Sequence, residues 1–254
     1  MSDEVKIVTV DATNVAQEGF FCYKSKPKAE GYRHKLAWLE QRFAEGMQIK
    51  ILYEGKRSVA FVEYIPGEYA WRAVNAKDYL LIHCLWVVGK GKGQGYGTRL
   101  LNECIDYAQK TGKSGVAMVT SSGVWLADKK LLLKHGFEEI EQAPPSFSLL
   151  VKRFAADAPL PTFPTNWDER ARHFGDGLTV LHSGQCPYIP DAVNIIVDFF
   201  GERGIPTRMV ELTSGQDVQA LSPSPYGLFG VVYNGKLLSY HYLGQKDLVK
   251  LMDS

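Results

Sequence analysis

Leu80-Leu-Ile-His-Cys-Leu-Trp-Val-Val88, then Gly89-Lys-Gly-Lys-Gly-Gln-Gly-Tyr-Gly97, then Thr98-Arg-Leu-Leu-Asn-Glu-Cys-Ile-Asp-Tyr-Ala108: these three consecutive pieces decide the fold. The first is a short aliphatic run that ends at glycine, which predicts a buried strand. The third places Leu100, Leu101, Cys104, Ile105 and Ala108 at helical spacing, with Gly112 positioned to stop the helix. Between them stand five glycines in nine residues. A strand, a glycine loop and a helix start let bare backbone amides converge on an anion, and the helix end adds roughly half a positive charge. Lys90, Lys92 and Arg99 add mobile cations around it. The piece reads as a phosphate cradle; a glycine-rich turn without a ligand is the competing reading.

Spacing removes the two commonest cradles. A dinucleotide fingerprint that starts at Gly93 fits at Gly95 but meets Thr98 where its last glycine belongs. A P-loop needs Gly-Lys-Ser/Thr after its spacer, and no register supplies it. Lys92-Gly-Gln-Gly95-Tyr-Gly97 resembles instead the pyrophosphate loop of the GNAT acyl-coenzyme A transferases, with Lys in place of the usual Arg or Gln. A second landmark of that family, a helix ending in Gly-Phe, is matched by Ala127-Asp-Lys-Lys-Leu-Leu-Leu-Lys-His-Gly136-Phe137.

The resemblance covers residues 5–154 and implies an α/β (α+β) GNAT fold that uses acetyl-CoA and transfers its acetyl group directly to an amine. It implies that the backbone near Val87 and Val88 pairs with the pantetheine arm, where an N–H that polarises the thioester is worth about 3 kcal/mol. It assigns the pyrophosphate to the amides of Gly93, Gln94, Gly95, Tyr96 and Gly97, flanked by Lys92 and Thr98. Trp125 stands where the family has an Asn on the pantetheine arm; its indole either stacks there or caps the core. The family's acid, a Tyr four residues before the Gly of Gly-Phe, is replaced here by Leu132. His83 and, as a weaker candidate beside Tyr64, Glu63 are the proton acceptors on offer. A core histidine satisfied by a backbone carbonyl is the plainer reading of His83, and Cys84 reads as a small buried hydrophobe on the opposite strand face.

The order of elements agrees with this. Val5–Val10 predicts a strand, the stretch after Asp11 a helix, and Tyr32, Leu36, Leu39 and Phe43 a second helix stopped by Gly46. Gln48–Tyr53 and Ser58–Tyr64 form a hairpin across Glu54-Gly-Lys. Beyond the cradle come a strand at Gly115–Thr120, a helix at Trp125–His135 and a closing strand at Phe147–Phe154. Cys22, beside Phe20, Phe21 and Tyr23, stands where an acceptor pocket is commonly lined, although such a cluster also serves plain packing.

The chain of 254 residues is 45% hydrophobic and 22% charged, an ordinary globular composition with material for one or two cores. Its net charge of +1 provides no field for nucleic acid. No apolar stretch is long enough for a bilayer, and the start lacks an apolar signal region. The four cysteines at 22, 84, 104 and 186 show no disulfide or metal spacing. A reducing cytoplasm is the expected home, without membrane or nucleic acid as partner.

Three prolines in 155–177 mark a linker between a GNAT domain at 1–154 and a smaller domain at 178–254. The second predicts strands at Leu178–His182, Thr207–Glu211, Gly230–Tyr233 and Leu237–Tyr242, with helices at Asp191–Phe200 and Gln245–Met252. Cys186-Pro-Tyr-Ile189 at the first strand-to-helix junction resembles the Cys-Pro-Tyr-Cys corner of thioredoxin/glutaredoxin-like folds, without the second cysteine. A thiol at a helix start has a lowered pKa. Pro225 is a candidate for the cis-proline of such folds. Two further readings follow: a coenzyme-binding sensor with little turnover, or a monothiol protein that works through Cys186. The acceptor amine is not legible, and the oligomeric state, a homodimer included, stays open.

Overall fold

The structure is a computed structural model that describes residues 4–123 and 126–252. In chain order its first part runs β1 (Val5–Val10), α1 (Val15–Glu18), α2 (Glu30–Ala44), β2 (Gln48–Glu54), β3 (Arg57–Pro66), β4 (Tyr79–Val87), α3 (Tyr96–Lys110), β5 (Gly115–Ser121), α4 (Lys129–Lys134), β6 (Glu138–Ala143) and β7 (Phe147–Arg153). The strands form one seven-stranded sheet in the order β1-β2-β3-β4-β5-β7-β6. Only the β4–β5 pair is parallel.

One face of this sheet is sealed by α3. Leu100, Leu101, Cys104 and Ala108 pack with Leu52, Val62, Leu80, Ile82, Leu85 and Met118 in one buried cluster. Each large aliphatic side chain buried in this way is worth about 1.5–3 kcal/mol, so the expected stripe on the cradle helix does anchor it. Leu80 and Ile82 share that cluster with Leu85 and Val87, although strict alternation would put 82 and 85 on opposite faces. The register shift between Glu63 and Tyr64 on β3 accounts for it, because Glu63 opposes Cys84 while Tyr64 opposes Ile82. His83 is the extra residue of a bulge on β4. Cys84 is only half-buried, which differs from the small buried hydrophobe expected there.

The later elements are α5 (Trp167–Arg172), β8 (Leu178–His182), α6 (Ile189–Gly201), β9 (Thr207–Glu211), α7 (Gly215–Leu221), β10 (Phe229–Tyr233), β11 (Lys236–Ser239) and α8 (Gln245–Met252). Four strands pair as β11-β10-β8-β9, with β8 and β9 parallel and the other pairs antiparallel. Ile196, Phe199 and Phe200 of α6 are buried with Val180, Leu181, Val231 and Val232 of the strands.

The chain divides into two compact units, and neither is continuous in sequence. One holds the chain up to Ser25 with Leu39–Ala70 and Val74–Phe163; the other holds Lys26–Trp38, Trp71–Ala73 and Pro164–Ser254. Within the second unit, a Cβ on Gly31 would lie 1.8 Å from the carbonyl oxygen of Pro187, so only glycine fits there. A Cβ on Gly184 would meet Trp38 at 3.0 Å. Arg72 donates from Nη1 to Gln185 Oε1 (3.0 Å) and to the carbonyl of Tyr226 (3.2 Å). Sequence periodicity does not show these recruits. On α2 it marks Tyr32, Leu36, Leu39 and Phe43, whereas the buried residues include Gly31, Lys35, Trp38, Leu39 and Arg42. Lys35 is accommodated with its ammonium 4.2 Å above the Trp38 ring, and Arg42 by Glu45 at 2.9 Å.

Smaller differences have local causes. Glu138–Ala143 is a strand despite three glutamates, because it is the sheet edge and pairs on one side only. Residues expected in the linker are ordered against the first unit: Asn75 and Thr162 exchange backbone bonds of 2.8 and 3.0 Å, and the amide of Phe163 donates to Glu141 (2.7 Å). The peptide before Pro225 is trans; among the described residues the cis peptide is Pro144–Pro145. No described helix is long and apolar enough to cross a membrane.

Candidate active site

The glycine loop holds two kinds of glycine. Gly91 and Gly97 are small because neighbours are close: a Cβ on Gly91 would sit 3.3 Å from the Tyr96 ring and from Val87, and one on Gly97 would sit 3.1 Å from Leu131. Gly93 (φ +80°) and Gly95 (φ +77°) have open space around them and are required by their left-handed backbone. Gly95 is the N-cap of α3, whose first bond is Arg99 N–H to Gly95 O at 3.0 Å. Residues 92–95 are exposed. The amide of Gln94 turns inward to the carbonyl of Gly91 (3.3 Å). Among the described residues, the amides of Gly93, Gly95, Tyr96, Gly97 and Thr98 donate to no backbone carbonyl. A run of outward amides on a helix start, with exposed Lys92 and Arg99 beside it, suits a diphosphate.

Tyr96 locks this loop from below. Its hydroxyl donates to Glu54 (2.9 Å), which also receives Arg57 Nη2 at 2.8 Å. The Tyr96 bond and then Arg57 hold the Glu54 carboxyl below the usual range, and Glu54 in turn pushes the Tyr96 phenol up. Glu54 lies at a hairpin end, where sequence reading sees only a turn.

The strand that leads to the loop has an open edge. β4 pairs with β5 only from Tyr79 to Ile82, while its pairing with β3 runs on to Val87. From His83 onward the two parallel strands part, and β5 stays with β7 to Ser121. The amide of Val88 donates to Val59 O (2.9 Å), so it faces β3. Antiparallel pairing alternates, which turns the polar groups of Val87 and Leu85 toward the gap. Of the expected pair, Val87 keeps its place at the gap, the Val88 amide does not, and Leu85 joins it.

His83 and Glu63 come together: Nδ1 and Oε1 are 3.4 Å apart, with His83 fully buried and Glu63 nearly so. The bulge makes this meeting. Phe61, directly paired with Trp86, lies two residues before Glu63 on the same face, and the Phe21 ring stacks on it at 4.6 Å and 24°. Trp86 is 41% exposed. Phe21 (φ +80°) and Tyr23 (φ +56°) hold left-handed backbone without being glycine. Leu132 is buried in the α3-side cluster, so that position carries no proton donor. Trp125 lies outside the described residues.

In the second unit Cys186 sits half-buried, and its carbonyl accepts from the amide of Ile189 at the start of α6 (3.1 Å). Tyr242 hydrogen-bonds its thiol and receives Tyr226 Oη at 3.4 Å. Burial first, then these two partners, raise Tyr242 well above the ordinary phenol range. Among the described residues no His/Cys/Asp/Glu cluster could hold a metal.

Residues 12–137 match the Acetyltransferase (GNAT) family. The chain is similar over 250 residues, at 26% identity, to the uncharacterized N-acetyltransferase YoaP of Bacillus subtilis (strain 168), covering 97% of this chain and 98% of that one. Among solved structures it is similar to yncA of Salmonella typhimurium, a putative acetyltransferase with its cofactor acetyl-CoA (18% identity, 61% of this chain and 96% of that one, TM-score 0.45). It is also similar to the paia N-acetyltransferase of Thermoplasma acidophilum in complex with coenzyme A (12% identity, 59% and 99%, TM-score 0.39). The chain is an acyltransferase that carries a GNAT acetyltransferase domain.

Proposed function

We propose that the protein binds acetyl-CoA on the loop at 93–97 and transfers the acetyl group to a primary amine through the first unit. The single observation behind this is the row of outward amides at Gly93 and Gly95–Thr98, continuous with the parted strands β4 and β5. When bound, acetyl-CoA supplies an activated acyl carbon on sulfur. Gly93, Gly95, Tyr96, Gly97 and Thr98 hold the diphosphate by amides, with Lys92 as the nearby cation. Leu85 and Val87 offer main-chain groups to the arm, and an N–H there steadies charge on the thioester oxygen. The Glu63–His83 pair takes the proton from the ammonium acceptor. With Leu132 in the family's Tyr position, the second proton, which leaves the nitrogen as the amide forms, reaches the departing sulfur through water.

We read the second unit as an accessory thioredoxin-like module, on the order β8-α6-β9-α7-β10-β11-α8 and on Cys186 beside the start of α6. Ile189 stands where a resolving cysteine would be, which leaves Cys186 a monothiol. A soluble cytoplasmic enzyme fits the free cysteines.

Isothermal titration with acetyl-CoA tests the donor. We expect micromolar affinity for the wild type and none for Gly95→Asp, which puts a strained, negative side chain in the cradle. Wild-type protein that gives no heat with the coenzyme overturns the reading.

A further inference from the structure

We propose that the acceptor is an arylalkyl primary amine, whose ring lies on Trp86 beside the Phe61–Phe21 stack and whose nitrogen reaches the Glu63–His83 pair. The inference rests on the acetyltransferase reading of the same site. Trp86 and Phe61 oppose each other directly, as do Cys84 and Glu63, so all four share one face of the sheet. Leu85 and Val62 occupy the α3 face, which makes this the opposite face. Two residues along a strand span about 6.6 Å. That is the distance between the aromatic row and the carboxylate row, and a short alkyl linker between ring and nitrogen covers it.

Three observations select an aromatic carrier. Trp86 is 41% exposed at the end of a strand whose residues from Tyr79 to His83 are buried. An indole held there offers a large flat face to a planar partner. The Phe21 ring stacks on Phe61 from a left-handed backbone, and Tyr23, two residues on, is left-handed too. Such strain gathers where a ligand is held. The charge on the paired positions 61, 63, 84 and 86 is that of Glu63, whose Oε1 lies 3.4 Å from His83 Nδ1. One ammonium is matched; a polyamine would bring further cations that these positions do not answer. In the transfer, the ammonium gives one proton to the Glu63–His83 pair, and the lone pair so freed forms the bond to the acetyl carbon. The second proton leaves the nitrogen as the amide forms and passes through water to the departing sulfur. The electrons of the broken carbon–sulfur bond leave with the thiolate, and the product is an aryl-alkyl amide.

The test measures coenzyme A release from acetyl-CoA with 2-phenylethylamine, tryptamine, n-butylamine and spermidine, on wild-type protein and Trp86→Ala. The two aromatic amines are expected to exceed n-butylamine in kcat/KM by about tenfold, and Trp86→Ala to remove most of that advantage. Calorimetry with acetyl-CoA and ligand-observed NMR with 2-phenylethylamine run in parallel. Acetyl-CoA binding with spermidine or n-butylamine preferred, or an aromatic preference that survives Trp86→Ala, overturns the acceptor assignment and leaves the acetyltransferase reading standing. 2-Phenylethylamine bound by the wild type and lost in Trp86→Ala, without acetyl-CoA binding, supports the aromatic site and overturns the donor.

Discussion

Tyr96, the first residue of the cradle helix, donates its hydroxyl to Glu54 across 2.9 Å. The bond ties the loop to the β2–β3 hairpin, and the Tyr96 ring fills the space over Gly91. A loop whose amides must point outward together loses affinity when its anchor is loosened. Tyr96→Phe and Glu54→Leu should each weaken acetyl-CoA binding by about tenfold, the order of one charge-assisted hydrogen bond. Because both remove the same bond, the double variant should be no weaker than the worse single one. Titration calorimetry on all three measures it; full additivity would mean that the two residues act apart.

The Glu63–His83 pair separates a chemical role from a packing role. If it accepts the acceptor's proton, Glu63→Gln and His83→Gln lower kcat by about 10²–10⁴. The KM for acetyl-CoA, which the proposed function places at the loop, stays where it is. The remaining activity should climb with pH as the free amine itself becomes the base-form substrate. A core histidine alone would instead show a lower Tm with kcat near wild type. Steady-state kinetics across pH, alongside thermal melts, decides between them.

His182 on β8 gives the second unit an acid-side weakness. Burial lowers its pKa below the ordinary 6.5, Glu211 opposes this in part, and His34 adds a smaller lowering effect. The unfolded chain therefore binds a proton first as pH falls, and stability drops on going below about 6.5. Above that pH both states are neutral and the contribution is flat. Melting curves between about pH 7.5 and 5.5 should show a smaller drop for His182→Gln than for wild type. Equal drops would assign the acid sensitivity to another group.

The local structure of the candidate site was legible because it depends on consecutive residues. The loop at 89–97 needs backbone freedom and a helix start, and both are written in consecutive residues. The α3 stripe of Leu100, Leu101, Cys104 and Ala108 is buried as its period demands. Val87 at the strand end follows from the same stretch. The Glu54 anchor was not legible, since a glutamate beside Gly-Lys at a hairpin has no pattern that points to a tyrosine far along the chain. Nor was the parity of β4: an extra residue at His83 shifts which amides face β3, so Val88 turns inward and Leu85 outward. On α2, periodicity marked Tyr32 and Leu36, yet Lys35 and Arg42 are the buried ones, because long side chains can bury their stems against aromatic or ion-pair partners.

The amino-acid order alone settled what depends on neighbours in the chain: strand, glycine loop and helix, and the resemblance that led to the acetyltransferase assignment. Tertiary structure decided what depends on residues distant in sequence. It brought His83 to Glu63 through a bulge, set Phe21 on Phe61, and drew Lys26–Trp38 and Trp71–Ala73 into a unit with residues beyond 164. The physical reason is one of range. Backbone conformation and helix periodicity are local energies, whereas a bulge's register, a ring stack and a glycine's close approach exist only between segments that folding brings together.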